Sequence, residues 1–228
     1  MPQKIAWDQE YKNPLFITKG TEPQADTVRF LKFYRKATKQ KLIGLTILDL
    51  GSGTGRNTNY LATLGNTVFG LEISPTAIRI AQKNIPENQG AVQYVEQSIG
   101  ERYPFPDNFF DIVLDITSSN ALTEKERAVY LEESARVLKP EGHLFVRALS
   151  KNSDKNAKKL IAKFPGKEKD TYVMPKSNLV ERVFLREDFH ETYEKKFTIL
   201  QLTQKSGYTN FDNQPYKRNY WIAYLKKK

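Results

Sequence analysis

The chain has no cysteine, which excludes a disulfide framework, a thiolate metal site and a cysteine nucleophile together. Histidine is scarce as well, with two in 228 residues, and no His/Asp/Glu group has metal-ligand spacing, so no metal is expected. No apolar run approaches the ~20 residues needed to cross a bilayer. Residues 1–11 lack the basic start and apolar stretch of a signal peptide. No membrane partner is expected, and the expected compartment is the cytoplasm. Repeats and low-complexity linkers are also missing, and 39% hydrophobic with 27% charged residues reads as globular.

Charge is present but uneven. Residues 1–150 carry 18 basic and 17 acidic side chains, whereas residues 151–228 carry 18 and 9, so the net +10 is almost wholly C-terminal. A basic excess of this kind suits an anionic partner, nucleic acid included. A solvated surface suits it better, because the basic residues are scattered and alternate with acids.

Apolar runs alternate with amphipathic stretches through the first two thirds of the chain. Leu45 to Leu50, Thr67 to Leu71, Val92 to Val95, Phe109 to Leu114 and His143 to Leu149 read as strands. Helices are expected at Ala25–Lys39, Asn57–Leu64, Ser74–Asn84 with proline at its first position, and Glu124–Leu138. Strands and helices in this rhythm make a mostly parallel α/β sheet covered on both faces. Beyond residue 150 the rhythm loosens. Helices are expected at Asn156–Phe164 and Leu185–Glu194, irregular structure at Pro165–Asn178, and a closing strand pair at Phe197–Thr203 and Tyr220–Leu225.

The chemistry-bearing stretch is Ile47-Leu48-Asp49-Leu50-Gly51-Ser52-Gly53-Thr54-Gly55. Glycines directly after a strand let backbone approach a ligand that side chains would keep away. The spacing is G-x-G-x-G, not the G-x-G-x-x-G of dinucleotide sites. An acid, Asp49, precedes it, and a carboxylate there suits a cationic group better than a phosphate. A second acid, Glu72, ends the next strand, where it suits a ribose diol.

These residues resemble the class I S-adenosylmethionine-dependent methyltransferase family. Two further stretches strengthen the resemblance: Tyr103-Pro104-Phe105-Pro106-Asp107-Asn108-Phe109-Phe110-Asp111, leading into the fourth strand, and Arg136-Val137-Leu138-Lys139-Pro140-Glu141-Gly142, leading into the fifth. The resemblance covers roughly Ile47 to Ala148. It implies S-adenosylmethionine as cofactor, with Gly51, Ser52, Gly53 and Gly55 along its methionine part, Asp49 near the amino group, Glu72 on the ribose and Ile73 on the adenine. Asn57 follows in an Arg56-Asn57 pair similar to that of small-molecule methyltransferases. The family commonly has an acid after its third strand. Gln97-Ser98-Ile99-Gly100 stands there instead, leaving Ser98 and the Ile99 backbone for the adenine edge.

The fold expected is a single doubly wound, mostly parallel seven-stranded sheet with its last strand antiparallel, helices on both faces and a small lid insertion after strand five. One domain is expected, with residues 1–44 as an N-terminal cap segment, 45–150 as the cofactor-binding core, 151–182 as the insertion and 183–228 as the closing helix and strands. On the acceptor side, Asp115 ends the fourth strand, where open α/β sheets present such residues. His190 is a conceivable general base or a solvated helix histidine. Tyr172 lies in the insertion. Trp7 and Tyr11, in an aromatic opening segment with Phe16, either close over the cofactor or staple the domain edge. The acceptor read from this is a small molecule, with RNA or protein methylation and a non-catalytic cofactor-binding module as the alternatives.

Overall fold

In a computed structural model of the chain, the described residues are 2–14, 20–87, 90–211 and 214–228; Phe16 lies outside them. The elements in chain order are α1 (Pro2–Lys12), α2 (Ala25–Thr38), β1 (Thr46–Leu50), α3 (Arg56–Thr63), β2 (Thr67–Glu72), α4 (Pro75–Lys83), β3 (Val92–Glu96), β4 (Phe110–Ile116) and a 3-10 turn at Ser119–Ala121. They continue with α5 (Glu124–Val137), β5 (Leu138–Leu149), α6 (Lys155–Lys163), β6 (Thr171–Val173), β7 (Val180–Arg182), α7 (Arg186–Tyr193), β8 (Phe197–Phe211) and β9 (Gln214–Lys227).

Seven strands form one sheet in the order β3-β2-β1-β4-β5-β9-β8. β3 through β5 run parallel, and β9, the last strand of the sequence, lies antiparallel between β5 and β8. The expected architecture is therefore present. Successive residues of the central strands serve opposite faces, which is why these strands read as unbroken apolar runs. Ile47, Ile112, Leu114 and Phe145 pack with Phe30 and Leu31 of α2 and Leu61 of α3. Leu48, Leu50, Val113, Leu144 and Val146 pack with Tyr130 of α5 and with Phe189 and Tyr193 of α7.

Local chemistry sets the helix starts. Ser74 accepts from the Ala77 N–H ahead of Pro75, and Thr123 with Glu126 forms a reciprocal capping box at α5, each satisfying N–H groups the helix cannot. The Lys139–Gly142 stretch, expected to stop α5 before a strand from His143, lies within β5 instead. Glu141 takes φ 66° there, and the pairing with β4 shifts between Phe110 and Ile112.

Three regions differ from the sequence expectation. Residues 2–12 form a helix. β8 and β9 run on past their expected ends as a long hairpin paired from Phe197↔Lys227 to Phe211↔Gln214. The stretch expected to be irregular contains β6, which pairs with β7 just beyond it. That insertion leaves and rejoins the sheet at one point, because the Phe184 N–H donates to the Leu149 carbonyl and the Lys151 N–H to the Phe184 carbonyl, both at 2.9 Å. Among the described residues, no helix is long and apolar enough to cross a membrane.

Candidate functional site

The carboxyl ends of β1, β2 and β4 meet at the glycine turn. Gly51 and Gly53 both hold positive φ, 64° and 56°, a region that strains other residues. Space is also short. A Cβ on Gly51 would lie 2.3 Å from Ser118 Oγ, and one on Gly53 would lie 2.7 Å from the Tyr11 hydroxyl. Gly55 backs instead onto the Tyr94 hydroxyl, so its demand comes from packing behind the turn. Ser52 is buried, and its Oγ has no hydrogen-bond partner among the described residues.

Two buried carboxylates flank this backbone. Asp49 is 2% exposed and accepts from Thr58 Oγ1 at 2.6 Å. Burial pushes its carboxyl up to about 7 against that hydrogen bond, and the nearby Glu72 carboxylate adds to the push. Glu72 is 4% exposed, with Oε2 accepting from the Gly53 N–H at 2.9 Å and Oε1 from the Ser74 N–H at 2.8 Å. Burial raises it despite those bonds. The two amides fix the Glu72 carboxylate across the glycine turn while leaving lone pairs for further donors.

Helix α1 covers this pair; the sequence allows the opening segment to lie here but does not mark it as a helix. Its Asp8 accepts from Ser74 Oγ at 2.7 Å and the Thr76 N–H at 3.1 Å, so it sits at the start of α4. Burial would raise Asp8, but its ion pair with Lys12 and the Ser74 and Thr76 hydrogen bonds outweigh that and hold it well below the usual range. Lys4 pairs with Glu96 at the end of β3 at 2.6 Å, and the Val180 N–H of the insertion donates to Gln3 Oε1. So anchored, α1 brings the Tyr11 hydroxyl over Gly53. Burial and Glu72 push that phenol well up. Trp7 lies beside Tyr11, ring centroids 6.3 Å apart, and packs against the core on the α2 face.

The remaining expected site residues fall in distinct places. Ile73 is half-buried next to Glu72. Ser98 accepts from the Gly100 N–H at 3.1 Å, and the carbonyl of buried Ile99 accepts from the Tyr103 hydroxyl. Asn57 turns its Oδ1 away from the glycines, accepting from the Gln24 N–H and Thr27 Oγ1 at the start of α2. Asp115 is fully buried. Its Oδ1 accepts from the Ser118 and Ser119 N–H groups, and its Oδ2 from the Tyr130 hydroxyl, so it fixes the loop after β4 from within the core. Tyr172 is buried, and its hydroxyl meets Glu181 of β7 and Arg218 of β9. His190 is not brought to the turn either. It pairs with Glu194 at 2.7 Å on α7, and the Glu194 carbonyl accepts from Lys228 Nζ near the amino ends of the parallel strands.

The arrangement fits S-adenosylmethionine. Two buried carboxyl groups on either side of close-approach backbone suit a ligand with a cationic end and a diol, and the Ser52 Oγ, unpartnered among the described residues, adds a polar group beside them. Among the described residues, no group of three or more His, Cys, Asp or Glu is placed to hold a metal.

Comparison with known proteins agrees. Residues 48–146 match the methyltransferase domain family. The chain is 30% identical over 141 residues to a probable phthiotriol/phenolphthiotriol dimycocerosates methyltransferase 2 of Mycobacterium ulcerans, across 61% of this chain and 53% of that protein, about half its length. It is 29% identical over 188 residues to a demethylmenaquinone methyltransferase of Tropheryma whipplei, across 78% and 72% of the two chains. The solved structure of a SAM-dependent methyltransferase from Methanosarcina mazei shares the fold, with a TM-score of 0.73 at 21% identity over 90% of this chain and 98% of that one. With the strand order, the glycine turn and its two acids in place, residues 48–146 carry the pattern of the methyltransferase domain family, within a fold shared with S-adenosylmethionine-dependent methyltransferases.

Proposed function

We propose that the protein transfers a methyl group from S-adenosylmethionine to a small-molecule acceptor. The observation that carries this reading is the Asp49–Glu72 pair, two buried carboxylates fixed on either side of the glycine turn. Asp49 would receive the cationic amino end, and Glu72 the ribose hydroxyls. Gly51, Ser52, Gly53 and Gly55 would line the methionine part, Ile73 one adenine face, and Ser98 with the Ile99 backbone its edge. When bound, the cofactor supplies a methyl group activated by its sulfonium.

The work of the protein is then positioning. Methyl transfer needs the acceptor atom in line at roughly 3–3.5 Å, with water excluded. Tyr11 and Trp7 on α1 close the turn from one side. Asp115 acts as a positioning residue for Thr117–Ser119 on the other. Asp115 and His190 both spend their hydrogen bonds locally, so the reading uses neither as a base. We take the chain as one domain in which residues 151–182, with Tyr172 inside, form a lid over the carboxyl ends of the strands.

The acceptor class draws support from the relatives, since those above are named for action on phthiotriol dimycocerosates and demethylmenaquinone. The basic C-terminal region lends little to a nucleic-acid partner, because many of its cations are locally paired. Lys196 meets Glu132, Lys205 meets Asp26, Arg218 meets Glu181 and Lys226 meets Glu141. Calorimetric titration with S-adenosylmethionine and S-adenosylhomocysteine tests the reading. Saturable binding, weakened in Glu72→Gln, is expected, and no binding by the intact protein overturns it.

A further inference from the structure

Two arginines meet on one aromatic ring where the insertion rejoins the sheet. Arg127, in the first turn of α5, is 4% exposed. Its Nη2 donates to the Leu122 carbonyl at 2.7 Å and the Ser119 carbonyl at 3.3 Å. Its Nε and Nη1 are buried and have no partner among the described residues. The Arg127 guanidinium carbon lies 5.4 Å from the Phe184 ring centroid, and that of Arg182, from β7, lies 4.9 Å from the same centroid. Arg182 Nε is likewise buried without a partner.

Neither guanidinium has a carboxylate within ion-pair distance among the described residues. The acid that acts on Arg127 across space is Glu168, but both its oxygens accept from the Glu124 N–H. Burial and the charge of Arg182 together lower Arg127. Buried donors without acceptors are costly, an unpaired buried cation more so, and one aromatic ring offsets only part of that. A second like charge makes the arrangement worse. Both features are relieved by one group, an oxyanion, which a planar guanidinium fork binds in two-pronged fashion.

Location connects this pair to the reaction. Arg127 holds the carbonyl of Ser119, and the neighbouring Ser118 places its Oγ against Gly51. Asp115 fixes both serine amides. The two arginines therefore stand behind the loop that separates the glycine turn from the insertion, on the acceptor side of the cofactor residues.

We propose that Arg127 and Arg182, stacked on Phe184, form a subsite for an oxyanion group, a carboxylate or a phosphate, carried by the methyl acceptor. The proposal rests on the methyltransferase reading and narrows its acceptor to an acid entering between the insertion and the loop after β4.

The test titrates the full chain, saturated with S-adenosylhomocysteine, with benzoate, with the neutral analogue benzamide and with inorganic phosphate at matched ionic strength. Benzoate, phosphate or both are expected to bind, and benzamide at least about tenfold more weakly than benzoate if benzoate is the one bound. Arg127→Lys and Arg182→Gln should each weaken the bound anion by about tenfold or more, the scale of a lost charge-assisted hydrogen bond. S-adenosylhomocysteine affinity should stay within about twofold in Arg182→Gln, whose side chain does not hold the loop beside Gly51. Thermal unfolding with the same anion gives a second readout, with Tm rising in the native protein and not in folded variants. Binding of neither anion to the loaded native protein, or equal binding to both variants, overturns the subsite. Failure of S-adenosylhomocysteine itself to bind would instead remove the methyltransferase reading.

Discussion

Cofactor affinity should depend on pH through Asp49. Its carboxyl is pushed up to about 7 by burial and by the neighbouring Glu72, so the ligand-free fold holds a proton there that the unfolded chain releases near pH ~4. That proton stabilises the fold fully below about pH 4, and its contribution is lost as pH rises through about 7. A ligand ammonium placed beside Asp49 reverses the preference, because it favours the ionised carboxylate. Binding then expels the proton, and affinity falls as pH drops below about 7. If binding restores an ordinary carboxylate, the three-unit return corresponds to about 4 kcal/mol, and S-adenosylhomocysteine should bind roughly seventyfold more weakly near pH ~5 than near pH ~7.5. Calorimetry in buffers of differing ionisation heat reads both the affinity and the released proton. Asp49→Asn should bind weakly with a flattened profile, and it should stabilise the ligand-free protein near pH ~8 but not near pH ~5. A flat native profile, or the full slope persisting in Asp49→Asn, refutes the reasoning.

Other substitutions separate the parts of the site. Glu72→Gln removes the charge that accepts from Gly53 and Ser74 and should weaken S-adenosylhomocysteine by about tenfold to a hundredfold in titration, the scale of a charged hydrogen bond. Gly53→Ala puts a methyl against the Tyr11 hydroxyl at a backbone with φ 56°; weakened cofactor binding and a lower Tm are expected together. Thr117, β-branched, holds φ 63° directly after β4, so Thr117→Gly should raise stability by about 1 kcal/mol, since the left-handed region costs L-residues roughly that much. Asp115→Ala strands two loop amides and the Tyr130 hydroxyl in the interior; denaturant titration should show a loss of about 3 kcal/mol or more.

The cofactor half of the site was legible because its signals are local. A buried strand serving two faces carries apolar residues at every position, so β1, β2 and β4 announce themselves, and the glycine turn and the two acids sit at fixed offsets from them. What escaped depends on distant partners. Helix α1 is mostly polar and is held by Asp8 on Ser74, Lys4 on Glu96 and Gln3 on Val180, contacts that no local pattern encodes. The far halves of β8 and β9 are polar and pair with each other, so they lack the buried-face alternation that marks a strand. Asn57 follows the glycines in sequence, while the partners of its Oδ1, at the start of α2, lie 30 and more positions away. His190 had suitable chemistry and the wrong end of the sheet. Arg127 and Arg182 left no mark at all, since two arginines 55 positions apart become a pair only when Phe184 brings them together.

The central claim is methyl transfer to a small molecule, and isotope partition tests it most directly. The protein is incubated with S-adenosylmethionine bearing a trideuterated methyl group and a complete cell extract, and the products are divided into small-molecule, RNA and protein fractions for mass spectrometry. The account predicts a deuterated methyl group on an acidic small molecule, absent when Asp49→Asn or Glu72→Gln replaces the native protein. Label confined to RNA or protein, or label in small molecules that persists undiminished in both variants, would contradict it.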